Sequence, residues 1–239
     1  MIFVTSDLHG ISSARFRQLL EKADFREDDY LFVLGDVIDR GEHGLALLLM
    51  LTQMPNAQLI LGNHEAMMLS CRFLFQEVTE ESAEQLTLSN IALMQAWVDN
   101  GGNPTIQAMS QLMKQDPDLA EGIWDFLRDA PLYDTLRVSG KNYILTHGGL
   151  GNFRPEKELD DYYPEELLMD RPDPSQRYFD RATVIFGHTP TRHYQNCDPM
   201  EIWQGENCIG IDCGGGYPDG GQGRLACLRL DDGKVFYSA

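Results

Sequence analysis

Apolar residues in the first third of the chain fall into short runs separated by helical patterning. Residues 2–6, 30–34 and 58–61 read as buried strands, and between them residues 12–23 and 43–53 repeat apolar side chains at helical spacing. This βαβαβ start predicts a largely parallel sheet with crossover helices, whose functional groups gather at the carboxyl ends of its strands. From about residue 66 to residue 128 the pattern turns helical and acidic. It breaks at Asn100-Gly101-Gly102-Asn103-Pro104, where glycine and proline cannot sustain a helix. The stretch reads as a helical insertion within a single domain, residues 1–239. Strand patterns return at residues 133–138, 143–146, 183–186 and 208–211. Residues 224–230 and 234–237 alternate across Asp231-Asp232-Gly233, a hairpin signal. Residues 154–181, rich in proline and charge, read as a surface loop with a short helix.

Composition narrows the function more than the fold. With 43% hydrophobic and 23% charged residues the chain is neither disordered nor a membrane protein by composition. No apolar run approaches the ~20 residues of a membrane span, and the first residues lack a basic leader, so a cytoplasmic location is expected. The five cysteines show no zinc-type paired spacing and are expected to be free thiols. A net charge of −18 speaks against nucleic acid and anionic membranes as partners, because both are bound through lysine and arginine. It leaves a phosphate substrate open: two divalent cations would outweigh two ligand aspartates by about two charges, whatever the global balance.

Candidate chemistry follows the predicted strands. Asp7-Leu8-His9 follows the first, Gly35-Asp36-Val37-Ile38-Asp39-Arg40-Gly41 the second, and Gly62-Asn63-His64-Glu65 the third. Later strands end in Thr146-His147-Gly148-Gly149 and Gly187-His188-Thr189-Pro190. A lone Asp-X-His or Gly-Asn-His is ordinarily a cap or a tight turn. Several such endings in one α/β chain converge, and oxygen donors mixed with imidazoles suit Mn²⁺, Fe or Zn²⁺, two of which can share one aspartate ~3.5–4 Å apart.

By these five motifs the chain resembles the metallophosphoesterase superfamily and, through the Asp-Arg-Gly of residues 39–41, its phosphoprotein phosphatase family, in particular the compact phage and bacterial serine/threonine phosphatases. The resemblance implies an α/β sandwich of mixed β-sheets flanked by helices. It also implies two divalent metals, Mn²⁺ foremost, with Asp7, His9 and Asp36 holding one and Asp36, Asn63, His147 and His188 the other. The metals would lower the pKa of a shared water for in-line attack at phosphorus. Arg40 would grip the phosphoryl oxygens, as would Asn63 and Arg171, with Arg154, Arg177 and Arg181 as alternatives to Arg171. His64 would protonate the leaving oxygen, oriented by Asp39. His43 and His193 read as surface residues.

The reaction expected is hydrolysis of phosphoserine or phosphothreonine in proteins, or of a small phosphoester. Hydrolysis of diadenosine tetraphosphate is the alternative, and a noncatalytic metal-binding scaffold a third. A polyphosphate chain calls for clustered cations and aromatic platforms. The insertion offers only Arg72, Lys114 and Arg128, whereas Tyr162, Tyr163, Tyr194 and Trp203 could stack a base or simply pack.

Overall fold

In strand β1 (Ile2–Thr5) Phe3 and Val4 point to opposite faces and enter different apolar clusters. The same division recurs in β2 (Tyr30–Leu34), where Leu31 and Val33 join Phe3 while Phe32 and Leu34 join Val4. It recurs again in β3 (Ala57–Ile60) with Leu59 and Ile60. The period-2 alternation of side chains thus builds two cores from one sheet, one under helices and one against a second sheet. In this computed structural model the described residues are 1–76, 79, 87–216 and 223–238.

The first sheet runs β10-β9-β1-β2-β3, with β9 (Ala226–Arg229) and β10 (Val235–Tyr237) forming the C-terminal hairpin. The second runs β4-β5-β6-β8-β7, from β4 (Tyr133–Val138), β5 (Lys141–Thr146), β6 (Ala182–Phe186), β7 (Trp203–Gly205) and β8 (Cys208–Gly210). In each sheet three adjacent strands are parallel, β1-β2-β3 and β5-β6-β8, and antiparallel partners pair outside them. The sheets are therefore mixed, as the family resemblance implied, rather than largely parallel as the opening alternation suggested. The antiparallel partners come from hairpins, which need no crossover helix.

Helices α1 (Ser13–Lys22) and α2 (Gly44–Thr52) cover the outer face of the first sheet. Ser12 caps α1 by accepting from the Arg15 amide, and Phe16, Leu19 and Leu20 are its buried stripe. α2 is apolar nearly all round because a further layer covers its other side. That layer is α5 (Asn103–Gln115) and α6 (Pro117–Asp129), and α3 (Asn63–Ser70) and α4 (Leu88–Asp99) precede it in the chain. Residues 77, 78 and 80–86 of the stretch read as a helical insertion lie outside the described residues. The short α7 (Pro164–Leu168) lies in the proline-rich stretch. β7 went unseen in the sequence because Trp-Gln-Gly is too short to show alternation.

Candidate active site

All six parallel strands deliver a polar residue beyond their carboxyl ends: Asp7 and His9 after β1, Asp36 after β2, Asn63 after β3, His147 after β5, His188 after β6 and Asp212 after β8. Asp7, His9, Asp36, Asp39, Arg40 and His188 all have φ between 42° and 69°. Left-handed backbone costs a non-glycine residue about 1–3 kcal/mol, and strain of this kind accumulates where a site must aim side chains inward. Backbone bonds hold the turns, with the Asp7 amide donating to Gly35 O at 3.1 Å and the His9 amide to Asp36 O at 2.8 Å. Gly62 packs so closely on Asp36 that a Cβ would strike its amide nitrogen and Oδ1.

Glu65 had no role in the sequence reading, although it closes the Gly-Asn-His-Glu run. Fully buried, it accepts from four amides. Oε2 takes Asp36 at 2.8 Å and Gly62 at 3.2 Å, and Oε1 takes Val37 at 2.8 Å and Ile38 at 3.2 Å. One carboxylate thereby ties the loops after β2 and β3 together.

Asp36 is the centre. Its Oδ1 lies 3.3 Å from His147 Nε2 and accepts the His64 amide at 3.1 Å. Its Oδ2 lies 3.6 Å from His9 Nε2 and 3.7 Å from His64 Nε2. Two clusters share it: His9, Asp36 and His64, and Asp36, His147 and His188, each with ligand atoms within 4.8 Å of one another. Asp7 stands beside the first, 4.0 Å from His9 Nε2, and its carboxylate accepts the His188 amide at 3.1 Å. Asn63 Oδ1 is 2.9 Å from His147 Nε2. The structure therefore gathers all six residues of the expected ligand set, and brings His64 closer to Asp36 than that set anticipated.

The donor chemistry fits divalent metal. His9 and His147 direct Nδ1 at carbonyl oxygens, Ile38 O at 3.2 Å and Leu34 O at 2.7 Å, which leaves each Nε2 facing the carboxylates. Burial, aided by the nearby His147 charge, depresses His188 to about 3, so its imidazole is neutral, and its buried Nε2 has no hydrogen-bond partner. Burial also holds His9 well below the ordinary histidine range. Burial and the neighbouring Asp212 push Asp7 well above its usual value, whereas at Asp36 the charges of His147 and His64 outweigh burial and hold the group low. Asp212, which had no role in the sequence reading, is itself pushed up to about 6 by burial. Asp7 and Asp212, whose charged forms burial disfavours, are the carboxylates that added cations would compensate.

Beside this cluster His64 Nδ1 donates to Asp39 Oδ2 at 2.6 Å, and Nε2 faces inward, 3.4 Å from Arg40 Nη2. Burial works against the protonated imidazole, but Asp36 and Asp39 outweigh it, and the His64 pKa is raised. Asp39 is completely buried; it also accepts the Trp97 indole N–H at 2.8 Å and the Thr105 hydroxyl at 2.6 Å.

Arg171 belongs to neither metal-type cluster, though its charge is felt at His188. It borders an open cavity of about 620 Å³ that includes Thr189, Pro190, Arg192, His193 and Tyr194, directly after His188. The other arginines weighed for its role lie elsewhere: Arg177 pairs with Asp180 and Glu206, and Arg181 lines a separate cavity with Asn142 and Ile144. Exposed Arg154 lines none of the cavities described. His43 and His193 are exposed, though His193 borders the Arg171 cavity.

Of the aromatic residues, Tyr194 stacks on buried Trp203 at 4.3 Å between centroids, and Tyr162 is buried beneath the Lys157 ammonium; Tyr163 is exposed. In the helical stretch Arg72 and Arg128 pair with Glu121. No helix among the described residues is long and apolar enough to cross a membrane.

The sequence model of the calcineurin-like phosphoesterase family matches residues 1–204. A symmetrical bis(5'-nucleosyl)-tetraphosphatase of Haemophilus ducreyi is 26% identical over 208 residues, which are 84% of this chain and 63% of that protein, under two thirds of its length. Serine/threonine-protein phosphatase 1 of Salmonella typhimurium is 25% identical over 200 residues, 80% of this chain and 79% of that protein. A crystal structure described as a candidate diadenosine tetraphosphatase superposes with a TM-score of 0.62 at 19% identity, over 99% of this chain and 91% of the other, a likeness of fold.

Proposed function

We propose, from the premise that this chain belongs to the calcineurin-like phosphoesterase family, that it hydrolyses phosphomonoesters and acts on phosphoserine or phosphothreonine in proteins. The observation that carries this reading is the buried His64–Asp39 pair, whose Nε2 opens onto the Asp36 cluster. An alkoxide is a poor leaving group and needs a proton as its bond to phosphorus breaks; the phosphate anions released from a polyphosphate need one far less.

Asp7, His9 and Asp36 would hold one divalent ion, and Asp36, Asn63, His147 and His188 the other. The mixed donor set suits Mn²⁺, with Fe and Zn²⁺ also acceptable. When bound, the ions supply Lewis acidity at the phosphoryl oxygens and lower the pKa of water. Arg40 grips two phosphoryl oxygens with its planar fork, Arg171 approaches from the cavity side, and Asn63 adds its amide. Asp39 keeps His64 Nδ1 protonated and its ring in plane, so that the Nε2 proton faces the leaving oxygen.

Dinucleoside polyphosphate hydrolysis is the second reading. The cavity beside His188 favours it, because Arg171, Arg192 and His193 would meet further phosphates there. Against it, Trp203 and Tyr162 are buried in packing, exposed Tyr163 does not border that cavity, and Tyr194, which does, has one face already stacked on Trp203. Rates on a phosphoserine peptide and on diadenosine tetraphosphate, measured side by side with Mn²⁺, decide between them. The peptide is expected to show at least about tenfold higher kcat/KM, a difference of roughly 1.4 kcal/mol in transition-state stabilisation. Faster turnover of the dinucleotide would sink the protein-phosphatase reading and assign the cavity to its phosphates.

A further inference from the structure

We infer that Trp97 and Thr105 are positioning residues for the leaving-group step, fixing the Asp39 carboxylate and, through it, the His64 imidazole. The inference rests on the reading of His64 as the proton donor. Asp39 has no exposed surface and sits in left-handed backbone, φ 69°. Its Oδ2 accepts the Trp97 indole at 2.8 Å beside His64 Nδ1 at 2.6 Å. Its Oδ1 accepts the Thr105 hydroxyl at 2.6 Å, while its own amide donates back to Thr105 Oγ1 at 3.0 Å. A carboxylate held by donors on both oxygens cannot rotate, so its plane and that of the imidazole are set together.

The two donors flank the break between helices. Trp97 lies in the last turn of α4 and Thr105 in the first turn of α5. Between them Gly101 O accepts the Arg40 amide at 2.9 Å, and Gly101 itself has φ 97° and is placed so that a Cβ would meet the Arg40 Cγ at 2.9 Å. The Asn-Gly-Gly break is thus a third contact with the loop that carries Asp39 and Arg40. A buried tryptophan alone would be ordinary packing, and Trp97 does meet the Phe75 ring at 6.3 Å. The two donors acquire their role by converging on one carboxylate, from positions 58 and 66 residues away in sequence.

The test uses the full chain loaded with Mn²⁺ and compares a phosphoserine peptide with p-nitrophenyl phosphate, whose phenolate leaves without a proton. Thr105→Val keeps the side-chain volume and removes the hydroxyl, Thr105→Ser keeps the hydroxyl, and Trp97→Phe removes the indole N–H. Thr105→Val and Trp97→Phe are expected to lower kcat on the peptide roughly tenfold to a hundredfold, with KM and the p-nitrophenyl phosphate rate little changed, because a displaced acid is felt only by the poor leaving group. Thr105→Ser should restore the peptide rate, and Thr105→Val should add no further loss when His64 is already asparagine. Should Trp97→Phe fail to fold, the Thr105 pair decides alone. Equal losses on both substrates in Thr105→Val, with His64→Asn still selective for the peptide, would overturn the positioning role and leave packing. Equal losses in His64→Asn itself would overturn the acid reading, and this inference with it.

Discussion

Asp36→Asn is expected to lower kcat/KM by roughly 10³-fold or more on every substrate, because several kilocalories per mole of metal stabilisation depend on the group that both clusters share. The geometry concentrates the effect in this one residue. Oδ1 faces His147 at 3.3 Å and Oδ2 faces His9 at 3.6 Å, and among the described residues Asp36 is the carboxylate that both clusters share. Asparagine retains the volume and one oxygen but loses the charge, so the ion that meets the amide nitrogen is held weakly. Metal content by elemental analysis, read beside the rate, separates this from a folding defect. The bridging assignment fails if the variant retains two equivalents of metal at native affinity.

His64→Asn is expected to discriminate between leaving groups. On a phosphoserine peptide kcat should fall by about 10²–10⁴, the usual contribution of a positioned general acid, and on p-nitrophenyl phosphate much less. The geometry is compatible with this role: Nδ1 is engaged by Asp39 at 2.6 Å, and Nε2 looks into the site beside Arg40 and Asp36. Asp39→Asn should show a milder form of the same asymmetry, since the ring survives and only its orientation is loosened. Because His64 adjoins Asn63 and its amide donates to Asp36 Oδ1, metal content belongs in the same experiment. Matched losses on the two substrates with both metals retained would remove the acid and leave His64 a phosphate-binding or structural residue.

The parts of this molecule legible in the sequence are those whose physics is local. Strands β1, β2 and β5 show as apolar runs, and the groups now found around Asp36 stand within a few residues of strand ends, where a short motif marks them. The C-terminal hairpin was readable from Asp231-Asp232-Gly233 between alternating strands. What the sequence withheld depends on distant partners. Glu65 was visible in its motif, but nothing local says that its carboxylate would collect four amides from two loops. Trp97 and Thr105 carry no local signal of a role, and their bonds to Asp39 exist only once α4 and α5 are folded against the second strand's loop. Asp212 follows a three-residue strand in a glycine-rich run, where a turn is the ordinary expectation. The choice among arginines was open for the same reason, and it is the cavity beside His188 that sets Arg171 apart.

The central claim is that hydrolysis depends on divalent metal held by the Asp36-centred clusters. It is tested most directly by stripping the protein with a chelator, verifying the metal content, and measuring turnover of p-nitrophenyl phosphate before and after adding Mn²⁺. This substrate leaves His64 and substrate recognition largely out of the measurement. The account predicts a metal-free protein that is folded and inactive, and recovery of turnover as two equivalents of Mn²⁺ bind. Undiminished turnover in a sample shown to be metal-free would contradict it.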